Sequence, residues 1–212
     1  MLLLPLLTAF LPAAHAVPLL TAAQFVGNLS RVAFGFSQIH WKPVAVFLMG
    51  AAPFCMLGAS LFIDLPEGLV ARCIGVVIIL LVVFKIIWHP GTRTNWWLLG
   101  IGGGVVGFLS GLAGSAGPLG AAFFLSLGLP PVAYVASEAT SALVMHALKM
   151  VVYRHSISLD RQFWFLALLL GVAMVLGTWL SKRAIERVPK QRFQQLIAVM
   201  LMVLAIYLVV HG

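Results

Sequence analysis

The sequence predicts an all-α, polytopic helical membrane protein. It is expected to hold two related, inverted helical repeats, with a broken helix or half-helix near residues 114–130. Three observations lead there. Of 212 residues, 62% are hydrophobic and only 8% charged, whereas a soluble domain carries about 25% charged residues. Mean hydropathy is +1.10, so the natural solvent is lipid. Apolar windows of membrane-crossing length recur along the chain, and the order of turns, glycines and polar residues repeats once.

The same composition excludes a disordered chain, a disulfide scaffold and a soluble nucleic-acid binder. The net charge of +8 comes from cations set between apolar runs, not from a basic patch, so no nucleic-acid partner is expected. Cys55 and Cys73 lie in or beside apolar runs and read as small buried hydrophobes. No spacing points to a disulfide, a metal site or a cofactor.

Crossing about 30 Å of hydrocarbon takes roughly 20 residues. Residues 41–63, 72–88, 96–114, 131–153, 162–181 and 193–210 qualify as spans. Residues 118–130 are apolar, bracketed by prolines and short for a full crossing. The beginning is less regular. Residues 2–11 make half a span, and 17–36 is interrupted by Gln24, Asn28 and Arg31. Residues 1–16 imitate a signal peptide, but no Lys or Arg follows Met1, which argues against one. Asn28-Leu29-Ser30 fits a glycosylation pattern inside an apolar stretch, where that pattern has no use.

Offset by 118 residues, the chain partly matches itself. Asn28 and Arg31 fall on His146 and Lys149, Ile39 on Ile157, and the late glycine Gly58 falls beside Gly177. The halves divide at residues 1–95 and 96–212. The Gly-rich span 96–114 has no counterpart before Met1, so the sequence is expected to begin partway through its first repeat. Lys182, Arg183, Arg187, Lys190 and Arg192 then form a basic loop against Glu186, which belongs inside. Counting 118–130 and 131–153 as two passes puts Lys42 and the cations of 85–93 inside as well. That count makes the repeats inverted, an architecture common in secondary transporters.

Gly103, Gly107 and Gly111 form a stripe that lets helices approach closely, and packing explains it. Ser110-Gly-Leu-Ala-Gly-Ser-Ala-Gly-Pro118 is different. Two glycines and a proline within five positions hold a helix poorly. Either this is a turn at the membrane surface, or it is broken backbone that must line a cavity. If Pro118 opens the next half-helix, Gly114, Ser115 and Gly117 offer donors to an anion.

On the helix 131–153, Glu138, Ala142, Met145 and Lys149 share a face, with Ser141 and His146 at its flanks. Glu138 is the one acid well inside a span, and such groups are costly and usually functional. Lys149 taken alone reads as a cation snorkelling to the interface. Gln24, Asn28 and Arg31 share a face of the first helix. With inverted halves, Arg31 and Lys149 would approach from opposite sides and together offer an anion a positive path.

These residues carry a resemblance. Residues 104–154, with Ser110-Gly-Leu-Ala-Gly, Ala139-Thr140-Ser141 and Tyr153, resemble the second half of the sulfite exporter TauE/SafE family of permeases. Residues 1–95 resemble that family's first repeat without its first helix. The family's three-glycine turn is here Ala116-Gly117-Pro118. The resemblance implies a multi-pass permease of the bacterial cytoplasmic membrane that exports sulfite, a sulfonate or a related anion, and not an enzyme. The expected substrate-binding residues are Asn28, Arg31, Gly114, Ser115, Gly117, Ser141, His146 and Lys149. Glu138 and His146 are the candidates for proton coupling. The expected partners are a small anion and the lipid bilayer, and a homo-oligomer is admitted.

Two other readings remain at the level of sequence. An intramembrane serine hydrolase would use Ser115 with His146 as base, but Gly-Ser-Ala-Gly is not the Gly-x-Ser-x-Gly elbow. A non-transporting membrane subunit is the other, kept open by the absent first helix.

Overall fold

A computed structural model describes residues 13–61, 76, 79, 96–112, 117–153 and 161–211, and every regular element among them is helical. The helices are α1 (Ala13–Gly35), α2 (Trp41–Ser60), α3 (Trp96–Leu112), α4 (Gly117–Ser126), α5 (Pro131–Tyr153), α6 (Arg161–Arg187) and α7 (Lys190–His211), with a 3-10 turn at Phe36–Gln38. By length and composition, α2, α5 and α6 can each cross a membrane. Of the expected span 72–88 only Val76 and Ile79 are described, both helical.

Proline sets several starts. Pro131 opens α5, Pro118 sits in the first turn of α4, and Pro189 precedes α7, places where a missing N–H costs nothing. Gly128 closes the turn between α4 and α5 at φ 62, a conformation that glycine adopts without a steric penalty.

Helices α2 and α3 pack parallel and very close. A Cβ on Gly103 would collide with the Phe47 carbonyl, and one on Gly107 with that of Ala51. One on Gly111 would sit 2.5 Å from Cys55 O. Gly50 and Gly58 of α2 meet the Gly100 and Phe108 carbonyls in the same way. The glycine stripe is therefore a packing device, as its spacing implies. Phe47 and Phe124 lie fully buried where α2 meets α4, their rings 5.3 Å apart.

The other directions follow from pairs of contacts. Gly35 of α1 lies against Val132 and Ala136 and Arg31 faces Glu138 one turn on, so α1 and α5 are antiparallel. Leu19 and Ala22 pack with Phe163 and Ala167, Gly27 meets Met174, and Lys182 lies over Phe34, so α1 and α6 are parallel. The His40 N–H donates to Ser137 Oγ and Cys55 Sγ to Met145 O, so α2 and α5 are parallel. Lys42, Trp96, Pro131 and Lys182 consequently lie at one end of the bundle, and Arg161 at the other.

One sequence expectation needs correction. The basic loop 182–192 is mostly helix: α6 runs through Arg187 and α7 begins at Lys190. Its cations ride on the last turns of α6 and the first of α7, where exposed side chains remain hydrated. The polar positions of 17–36 lie on one continuous helix, as their shared face implies. Asn28 is buried and Gln24 and Arg31 are half-buried, so this polar face turns inward and the helix stays whole.

Candidate functional site

Helix α4 has ten residues, about 15 Å at 1.5 Å per residue, or half a crossing. It folds back along α5. The Tyr134 hydroxyl donates to Ala121 O over 3.0 Å, and a Cβ on Gly120 would lie 3.6 Å from Glu138 Oε1. The first residue of α4, Gly117, therefore lies about one turn farther along α5, level with Ser141. The opposite flank is fixed by Lys149, whose Nζ donates to Ser110 Oγ over 3.2 Å near the end of α3. The last turn of α3 thus faces the later part of α5 at Lys149, and the first turn of α4 faces its middle. Residues 113–116 themselves lie outside the described residues.

Along the later half of α5 several side chains are polar and buried. Lys149 is 0% exposed and His146 5%. The snorkelling expectation for Lys149 is wrong, because its stem has no route to water and its ammonium is held by Ser110. Burying an ammonium is costly unless it is paired and hydrogen-bonded, and ionisable groups inside a membrane bundle usually serve a function. His146 lies in coulombic range of Lys149, and its Nδ1 is buried without a hydrogen-bond partner among the described residues. Ser141 is buried and its hydroxyl donates to Ser137 O over 3.3 Å. That leaves its oxygen lone pairs, and a proton that can swing to a ligand. Thr140 donates to Ala136 O. Cys55, a free buried thiol, lies in coulombic range of Lys149 from the α2 side.

Ser110, His146 and Lys149 are thus brought together, with Ser141 and the start of α4 at Gly117 about two turns back along α5. Gly114 and Ser115 lie outside the described residues, as does the proposed hydrolase nucleophile, which is the same Ser115. Asn28 and Arg31 are not part of this cluster. Arg31 Nη1 donates to Asn28 Oδ1 over 3.4 Å and lies in coulombic range of Glu138 and Tyr134. Glu138 is eleven residues from Lys149, about 16 Å along the helix. Arg31 and Lys149 therefore stand at two separate stations along α5, Arg31 reaching it from α1 beside Glu138 and Lys149 carried by α5 itself. Antiparallel pairing of α1 with α5 carries position 31 towards the start of α5 and leaves position 149 near its end.

Ser110 was visible in the sequence only as part of a glycine-rich turn, and its role as the lysine's partner depends on a contact across 39 residues. Ser137 and Tyr134, which tie the α1–α2 connection and α4 to α5, carried no charge to mark them. Among the described residues no three His, Cys, Asp or Glu side chains gather to hold a metal.

No curated protein and no solved structure matches this chain. A family model described as sulfite exporter TauE/SafE matches residues 1–208. That span is nearly the whole length of a helical body with several apolar helices of crossing length, and the protein belongs to the sulfite exporter TauE/SafE family of membrane permeases.

Proposed function

We propose that the protein moves a small sulfur oxyanion, sulfite or a sulfonate, by alternating access, with the anion held where α3 gives way to α4. Lys149 supplies the charge, Ser110, Ser141 and His146 supply hydrogen-bonding groups, and the free N–H groups at the start of α4 complete the cradle. The observation that carries this reading is the fully buried Lys149 ammonium, bonded to Ser110 near the end of α3. A tetrahedral or pyramidal oxyanion matches such a set of separate donors.

Two inverted repeats support the alternating movement. Offset by 118, α1 falls on α5 residue for residue, since Ala13 maps to Pro131 and Gly35 to Tyr153. The two are antiparallel neighbours, and the parallel pair α1–α6 mirrors the parallel pair α5–α2. Rocking one half against the other about this pseudo-two-fold would expose the cradle to each side in turn. Glu138 and His146 are the groups we assign to proton coupling, because both are ionisable and lie on the path.

Uptake of labelled sulfite into liposomes carrying the purified chain tests the reading. Lys149→Met is expected to remain folded and to lose uptake by at least about tenfold, equivalent to about 1.4 kcal/mol. Equal uptake by Lys149→Met and the unaltered chain would overturn it.

A further inference from the structure

A second cationic feature lies away from Lys149. Where α1, α5 and α6 meet, a notch of about 40 Å³ is lined by Arg31, Thr178 and Lys182, with Gly35 and Val135 among its apolar walls. That volume holds about three waters, comparable to the three oxygens of a sulfonate head. Its wall surface is almost wholly apolar, with Arg31 and Lys182 at its edge and no acid among the lining residues. Lys182 is held loosely: its Nζ lies over the Phe34 ring at 5.5 Å and 3.9 Å from Glu186 Oε1, with both side chains more than a third exposed. Water screens a pair of that kind, so the ammonium can turn to an incoming anion. Arg31 faces both ways, lining the notch while lying in coulombic range of Glu138 deeper along α5.

We propose that Arg31 and Lys182 form an anion vestibule, a first docking station for the head group of a small sulfonate or sulfite at the α6–α7 end of the bundle. As the entrance to the Lys149 path, it rests on the permease reading. As a binding site, it can be tested without transport. Lys182 gathers the anion from solvent, and Arg31, with a planar fork of donors suited to oxyanions, passes it inwards. Glu138 stands behind Arg31 as the negative group that the anion must pass. The notch exists because α1 and α6 run parallel, which brings position 31 of one beside position 182 of the other.

The test uses the intact chain in detergent. Acetylation of Lys182 by an amine-reactive ester is followed by mass spectrometry, with exposed Lys42 as internal control, at constant ionic strength. Methanesulfonate is expected to slow acetylation of Lys182 several-fold relative to chloride and to leave Lys42 unchanged. Arg31→Gln should abolish the protection and Arg31→Lys should retain most of it. In liposomes, Lys182→Gln should raise the KM for sulfite several-fold at nearly constant kcat, while Arg183→Gln, whose side chain stacks on Trp179 outside the notch, changes neither. Protection without any transport by the unaltered chain upholds the vestibule and removes the permease reading. Equal labelling of Lys182 in both salts, or an unchanged KM in Lys182→Gln, overturns the vestibule and leaves transport standing.

Discussion

Lys149 Nζ and Ser110 Oγ are 3.2 Å apart and join the inner end of α3 to α5 across a buried polar contact. A hydrogen bond to a charged group is worth about 1.5–3 kcal/mol, more where its loss leaves a buried ammonium poorly solvated. Ser110→Ala should therefore lower the unfolding temperature measurably. Lys149→Met, which removes the charge and keeps the shape, should be neutral or stabilising. In the double variant Lys149→Met rescues Ser110→Ala, giving a coupling energy of about 1–3 kcal/mol in a thermal double-mutant cycle. Additive effects would show that the contact contributes nothing.

The α2–α3 interface makes a steric prediction. A Cβ at position 107 would collide with the backbone of Ala51, which has no rotamer to change. Gly107→Ala should destabilise by about 1–3 kcal/mol, the usual cost of overpacking. A Cβ on Gly177 would have open space for 4 Å around it, so Gly177→Ala on α6 should stabilise by up to about 1 kcal/mol through helix propensity. Thermal unfolding in one detergent compares the pair directly, and equal effects would contradict the packing.

Much of the architecture was readable because its signals are local. Pro130-Pro131 and the polar residues after Tyr153 bound α5 on both sides, and the helix has those limits. The inward face of α5 was legible because Glu138, His146 and Lys149 stand out in apolar sequence. Helix α1 was harder, since Gln24, Asn28 and Arg31 look like interruptions until α5 and α6 are known to cover them. Lys149 looked like a snorkelling cation because sequence gives depth along a helix and not the neighbour that blocks the exit. Lys182 lay in an ordinary basic loop until the parallel packing of α1 and α6 put it beside Arg31. The buried surroundings of Lys149 and the neighbour of Lys182 are long-range contacts, which periodicity does not encode.

Gly128 gives a backbone prediction. At φ 62 it turns α4 into α5, and a left-handed conformation costs an ordinary L-residue about 1–2 kcal/mol. Gly128→Ala should destabilise by about that amount, whereas Gly128→Asn should cost less because asparagine tolerates this region. Since the turn holds α4 along α5, the alanine variant should also weaken sulfite uptake. Equal unfolding temperatures for Ala and Asn would remove the argument.

The last prediction concerns orientation. The packing directions place Lys42 and Arg187 at one end of the bundle and Arg161 at the other. Exposed cations near the ends of crossing helices favour the cytoplasmic side, and Arg183, Arg187, Lys190 and Arg192 cluster on the last turns of α6 and the first of α7. Single cysteines replacing Lys42, Arg161 and Arg187 should therefore divide two against one. An impermeant maleimide should label positions 42 and 187 only in inside-out vesicles, and position 161 only in right-side-out vesicles, against the background of the parent chain. Because α1 and α5 are antiparallel, that division also fixes Arg31 towards the cytoplasmic half and Lys149 towards the opposite one, the placement that two inverted repeats require. Labelling of 42 and 187 from different sides would break the shared end on which both the repeat and the vestibule depend.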